Sequence, residues 1–140
     1  MKTVAIIQAR MNSARLPGKV LADVAGSPLL LRVVERVRRA PHVDAVVVAT
    51  SINNEDSVIA DICRAENVPC FRGHPTDVLG RYHAVAEEYA ADVIVRITAD
   101  CPLIDPQIMG EVIAAFHVQN VAYSSNVHPP TFPDGLDTEV

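Results

Sequence analysis

TVAIIQARMNSARLPGK, residues 3–19, decides the fold. Thr3–Ile7 is a short, β-branched run without a polar break, the signature of a strand buried on both faces inside a parallel sheet. The following twelve residues carry three fixed cations, Arg10, Arg15 and Lys19, with Ser13 among them and a Pro17-Gly18 turn near the end. A buried strand that runs straight into a cationic loop puts that charge at the carboxyl edge of the sheet, where ligands of open α/β folds bind.

Outward from this stretch, strands and helices alternate. DAVVVAT (44–50), PCFRG (69–73), ADVIVRIT (91–98) and NVAYSS (120–125) read as further strands. PLLLRVVERVRRA (28–40) has apolar residues at 29, 30, 33, 34 and 37, a helical stripe, with Ser27-Pro28 as cap and first-turn pair. Residues 54–66 form a second helix with Val58, Ile59 and Ile62 on its buried side. Asp77 caps a third, 78–90, with Leu79, Tyr82, Val85, Ala86 and Tyr89 inward, and Asp105-Pro106 opens a fourth that runs to about His117. Alternation of this kind predicts one α/β domain, a mainly parallel sheet between two helical layers. HPPTFPDGLDTEV (128–140) is turn-rich and stops on what reads as the start of another strand, so the domain is expected either to be truncated at its C-terminus or to end on an edge strand.

Composition narrows the function. A chain of 140 residues with 49% hydrophobic and 21% charged residues suits one globular domain with its own core. Only five apolar residues separate Lys2 from Gln8, too few for a signal-peptide core or a membrane span, so a cytoplasmic protein is expected. Cys63, Cys70 and Cys101 have no metal-ligand spacing and read as reduced thiols. Residues 1–40 hold eight Lys/Arg against two Asp/Glu, whereas the remainder holds four against fifteen. With a net charge of −5 the chain is a poor nucleic-acid binder, because that binding needs phosphate neutralisation over a wide face. A local basic loop on an acidic body fits a small polyanion.

The loop is neither a dinucleotide fingerprint nor a P-loop, since GxGxxG and GxxxxGK[ST] are both absent. Arg10, Arg15 and Lys19 are spaced five and four apart, so a curled loop can aim them at one triphosphate, with Ser13 adding a hydroxyl. Ordinary surface charge is the alternative. Asp100, at the end of the 91–98 strand and before a Pro-stiffened loop, is placed to hold Mg²⁺ on phosphate oxygens. A turn or cap is its bland role, but Asp105 already suits the cap. Asp134, Asp137 and Glu139 in PDGLDTEV fit a second metal, the hydroxyls of a polar substrate or a solvated turn, and their spacing does not choose.

Ala-Arg-x-x-Ser-x-Arg-Leu-Pro-x-Lys, as it stands at residues 9–19, followed by VAGSPLL (24–30), resembles the N-terminus of sugar cytidylyltransferases, which make CMP-activated acidic sugars. FRGHPTDVLGRYHAVAEEYAADVIVRITADCPLIDP (71–106) and FPDGLDTEV (132–140) resemble the branch named for spore coat polysaccharide biosynthesis protein F. The resemblance covers essentially the whole chain. It implies a three-layer, Rossmann-like fold of the glycosyltransferase-A type, CTP and a sugar as substrates, Mg²⁺, a homodimer, and a protein that continues beyond GLDTEV. It also implies roles. Gln8, Ala9, Arg10, Ser13, Arg15 and Lys19 would contact the nucleotide, and Arg72, Gly73, Asp77 and Arg81 would belong to the nucleotide and sugar pocket. Arg10, Arg15 and Lys19 would stabilise the leaving pyrophosphate, Asp100 would hold the metal, and Asp137 and Glu139 would face the sugar.

The function expected is CMP transfer from CTP to an acidic sugar, with pyrophosphate released, for cell-surface polysaccharide synthesis. Two rivals stand beside it. A nucleotide-sugar-dependent glycosyltransferase would use the same fold, although its common Asp-x-Asp motif is replaced here by Asp100-Cys101-Pro102. An inactive nucleotide-binding fragment is the other.

Overall fold

Backbone pairing decides how these segments assemble. The computed structural model describes residues 1–140. Strands β1 (Thr3–Gln8), β4 (Ala45–Ser51), β5 (Cys70–Gly73) and β6 (Val93–Thr98) form a parallel sheet in the order β5-β4-β1-β6. Helices α1 (Leu29–Val37), α2 (Ser57–Ala65), α3 (Val78–Glu88) and α4 (Pro106–Gln119) complete the alternation. A two-residue-per-strand hairpin, β2 (Asp23–Val24) with β3 (Ser27–Pro28), sits between β1 and α1.

β1 is central, and Val4 through Ile7 have no solvent exposure at all. Its side chains alternate between two cores, as strand geometry requires. Ala5 and Ile7 join Val46, Val48, Val95 and Ile97 under α1, α2 and α4, through Leu30, Val33, Ile59, Met109 and Ile113. Val4 and Ile6 join Val47 and Ala49 on the opposite face, beneath Tyr82 and Val85 of α3. Helices on both faces of a parallel sheet give the three-layer architecture expected.

Sequence order runs outward from β1 to β4 and β5, then returns to place β6 on the other side of β1. The reversal therefore lies between β1 and β6, in register from Thr3↔Val93 to Gln8↔Thr98. The loops leaving these two strands lead to α1 and α4, on one face of the sheet, and a crevice lies between them at the carboxyl edge.

Several expectations change in detail. Ser27-Pro28 pairs in the hairpin instead of capping α1, whose first turn has no side-chain cap. The hairpin loop, Ala25-Gly26, has positive φ at both positions (51° and 83°), as its two-residue length demands. Leu79 is exposed whereas Arg81 is buried, so α3 turns a charged face inward. Val58 is likewise exposed, and Cys63 takes its place in the core beside Ile59. Residues 120–125 are not a strand. α4 runs to Gln119 and ends on Asn120 in the left-handed conformation, and only Ser125 makes a bridge.

That bridge is to Glu139, which also pairs antiparallel with Arg96 on the open edge of β6. Arg96 N–H donates to Glu139 C=O at 2.8 Å, and Ser124 and Val140 exchange both backbone bonds at 2.8 and 3.0 Å. The end of the chain thus lies against β6 and carries residues 124–126 outside it.

Ile7 is fully buried between β1's neighbours and the helical layer. Replacing Ile7 by Ala should cost about 2–5 kcal/mol of unfolding free energy, read as a lower urea midpoint with an unchanged slope.

Candidate functional site

The residues that end β1 and β6 meet across the crevice. Gln8, Arg10, Ser13, Arg15, Lys19 and Asp100 line a single pocket of about 290 Å³, together with Asn12, Arg96 and Thr98. Its walls are almost wholly polar, and their fixed charges are four cations and one carboxylate. Such a surface attracts a compact polyanion.

The loop that presents the cations is short of backbone support. Gly18 takes φ 72°, which lets the chain curl back so that its N–H reaches Met11 C=O at 2.8 Å. The 3-10 turn Lys19–Leu21 follows at once, so Lys19 emerges from a fixed bend. Its Nζ donates to Asp100 Oδ2 at 2.7 Å. The Lys19 hydrogen bond, opposed by partial burial, holds the Asp100 carboxyl below its usual range. The pair spans the strand-order reversal and joins the β1 loop to β6.

Arg10 lines the pocket from the side of the turn after β5. Its Nη1 donates to Pro75 C=O at 3.2 Å, and the same carbonyl accepts from Arg81 Nη1 at 3.0 Å. Arg81 is 1% exposed and also donates to His74 C=O. Its aliphatic stem crosses the backbone at Gly73, where an added Cβ would lie 2.7 Å from Arg81 Cγ. Burial first, and the Arg10 charge second, lower the Arg81 pKa. Arg81 therefore fixes the turn against which Arg10 rests.

Other residues singled out in the sequence stand apart from the pocket. Ala9 is buried beneath it, with its N–H bonded to Ala49 C=O at 3.0 Å. Arg72 is tied to Ser51 and Asn53 carbonyls at 3.0 and 2.8 Å, holding the turn after β4. Asp77 caps α3 by accepting from Gly80 N–H at 2.7 Å. Asp137 and Glu139 line an adjoining hollow of about 80 Å³ with Arg96, Thr98 and Val127. There Glu139 forms an ion pair with Arg96 and accepts from Tyr123 Oη at 3.0 Å. Burial pushes the Cys101 thiol up, against a weaker lowering by Thr98, which does not favour a thiolate nucleophile.

Arg96 and Thr98 were legible in principle. They occupy the less buried alternate positions of β6 and precede Asp100 by four and two residues, so strand periodicity alone puts them on the crevice side. Asp56 carries no such signal, because it acts through the backbone of Met11, 45 residues away.

No three His, Cys, Asp or Glu side chains gather to hold a cation unaided. Asp100 offers a single carboxylate whose Oδ1 meets only the Cys101 thiol, at 3.7 Å. A lone carboxylate beside a polycationic wall suits a hard cation that takes its other ligands from phosphate oxygens and water.

The parallel sheet and this pocket define an α/β domain shaped for a phosphorylated ligand. Residues 4–133 match the family model described as cytidylyltransferase, and the chain belongs to that family. It is 37% identical to spore coat polysaccharide biosynthesis protein SpsF of Bacillus subtilis over 129 residues, 89% of this chain and 54% of that protein. A cytidylyltransferase structure from Leptospira borgpetersenii superposes with a TM-score of 0.93 at 36% identity, over 99% of this chain and 59% of the other. CMP:2-keto-3-deoxy-manno-octonic acid synthetase complexed with CTP superposes with a TM-score of 0.75 at 26% identity, covering 86% and 49%. The chain thus spans about half the length of the relatives it matches.

The ion pair gives a direct test. In Lys19→Met the Asp100 carboxyl should titrate closer to the ordinary carboxylate range than in the wild type, as followed by carboxyl carbon shifts in NMR. Identical titrations would show that the two groups do not pair in solution.

Proposed function

We propose that this chain carries the nucleotide site of a sugar cytidylyltransferase, transferring CMP from CTP to a sugar. The observation that carries the reading is the convergence of Arg10, Arg15 and Lys19 with Asp100 at the strand-order reversal, in a chain of the cytidylyltransferase family. A sugar hydroxyl oxygen attacks the α-phosphorus, its bond to the pyrophosphate oxygen breaks, and the hydroxyl proton passes to solvent.

The protein's part is placement and charge. Arginine forks suit phosphate oxygens bidentately and lysine supplies a point charge. Together they offset the charge that gathers on departing pyrophosphate. Asp100 would hold a divalent cation, Mg²⁺ in this reading, which neutralises phosphate charge when bound. Lys19 would then turn from Asp100 to the phosphates. The hollow beside Thr98, with Asp137 and Glu139, receives the sugar. An acidic sugar, a role in cell-surface polysaccharide synthesis, a cytoplasmic setting and a homodimer belong to the same proposal, and the relatives' printed names support the first two. No helix is long and apolar enough to cross a membrane.

Calorimetric titration with CTP, UTP, GTP and ATP, each with and without Mg²⁺, tests the reading. Magnesium-dependent binding that favours CTP is expected. Arg15→Ala and Lys19→Ala should each weaken CTP binding by about tenfold to a hundredfold without altering the circular dichroism spectrum, the loss of a charge-assisted contact. Failure of every nucleotide to bind, or a preference for a purine, overturns the assignment.

A further inference from the structure

The loop after β1 is organised around the backbone of Met11. Met11 C=O accepts from both Ser13 N–H, at 3.1 Å, and Gly18 N–H, at 2.8 Å, so it ties the two ends of the loop's tip together. Met11 N–H in turn donates to Asp56 Oδ1 at 2.7 Å. Asp56 is 1% exposed, stands 45 residues further along the chain, and its Oδ2 accepts from the Ser51 hydroxyl at the end of β4. Ser51 Oγ also accepts from Asn53 N–H at 3.1 Å, which sets the turn leading to Asp56.

We propose that Asp56 is a positioning residue for triphosphate binding, fixing Ser13, Gly18 and hence Lys19 through Met11. The inference rests on the nucleotide reading above. A carboxylate with almost no exposure and no ion-pair partner is costly to bury unless its hydrogen bonds do something a smaller apolar residue could not. Here they convert a loop whose residues 12–17 are largely exposed into one with a fixed base. Holding the loop before the nucleotide arrives removes part of the ordering cost that would otherwise be subtracted from affinity. The effect belongs to the β- and γ-phosphates, because these are what Ser13 and Lys19 would reach.

The test compares CTP with CMP, titrated into the full chain with Mg²⁺ present. Asp56→Ala should weaken CTP about tenfold, with CMP changing less than about twofold. Asp56→Asn, whose Oδ1 still accepts from Met11 N–H, should return CTP affinity to within about threefold of the wild type. An Asp56→Ala protein that stays folded and keeps the wild-type ratio of CTP to CMP affinity overturns the proposal, as does equal weakening of both ligands. Amide hydrogen exchange in the wild type reads the clamp without any substitution. Met11 and Gly18 amides should exchange more slowly than those of residues 14–16, and equal rates would also refute it. If the wild type binds neither ligand, the nucleotide assignment has failed, while the exchange rates still judge the clamp.

Discussion

The complete burial of β1 is the constraint on which the rest depends. A central parallel strand with both faces covered has nowhere to place a polar side chain until it leaves the sheet. Gln8 is the first residue at which this becomes possible, and Arg10 the first fixed cation. Because β6 pairs with β1 in parallel, its own exit, at Thr98, lies at the same level. The two loops that leave the sheet there line the crevice between them. Lys19 and Asp100 close it with one ion pair. Partial exposure keeps the energetic worth of that pair small, so its role is placement rather than stability.

The crevice is held from three sides, by Asp56 and Arg81, which are buried outside it, and by Asp100, which also lines it. Asp56 holds Met11 after β4, Arg81 holds the turn after β5 against which Arg10 rests, and Asp100 holds Lys19 after β6. Each support comes from the loop that follows a different strand. Parallel topology explains this, since it brings all the strand exits to one edge however far apart they are in sequence. Four cations with one carboxylate among them repel one another. Removing any of the three supports would relieve repulsion by letting the loop open. The buried groups keep the cations close enough for a polyanion to bridge.

How much of this could be read beforehand follows from the range of the forces involved. Short-range pattern identified β1, β4, β5 and β6, the stripe of α1, and the caps Asp77 and Asp105, because each depends on neighbours within a turn or a strand. The cations of the β1 loop were legible for the same reason. The inward turn of Arg81 in place of Leu79 was not. It depends on carbonyls at 74 and 75 that have no side-chain signature and on the open backbone at Gly73. The expected strand at 120–125 failed similarly: its composition suited a strand, but α4 used up Val118 and Gln119, and the antiparallel partner lay at 138–140.

The tail at 136–140 gives the fold its one mixed feature, and it has a functional bearing. By pairing antiparallel with β6 at Arg96, it covers an edge that would otherwise present free backbone groups. The same pairing sets Glu139 against the Arg96 guanidinium, on the side of the strand that faces the crevice. Arg96 is thereby answered by a carboxylate of the tail, as Lys19 is by Asp100, which leaves Arg10 and Arg15 as the pocket's cations without a carboxylate partner. The net attraction for phosphate falls from the β1 loop toward the tail, and polar groups that are neither strongly basic nor apolar take over beyond Thr98. The crevice thus has a strongly cationic end at the β1 loop and a polar, carboxylate-bearing end beside the tail.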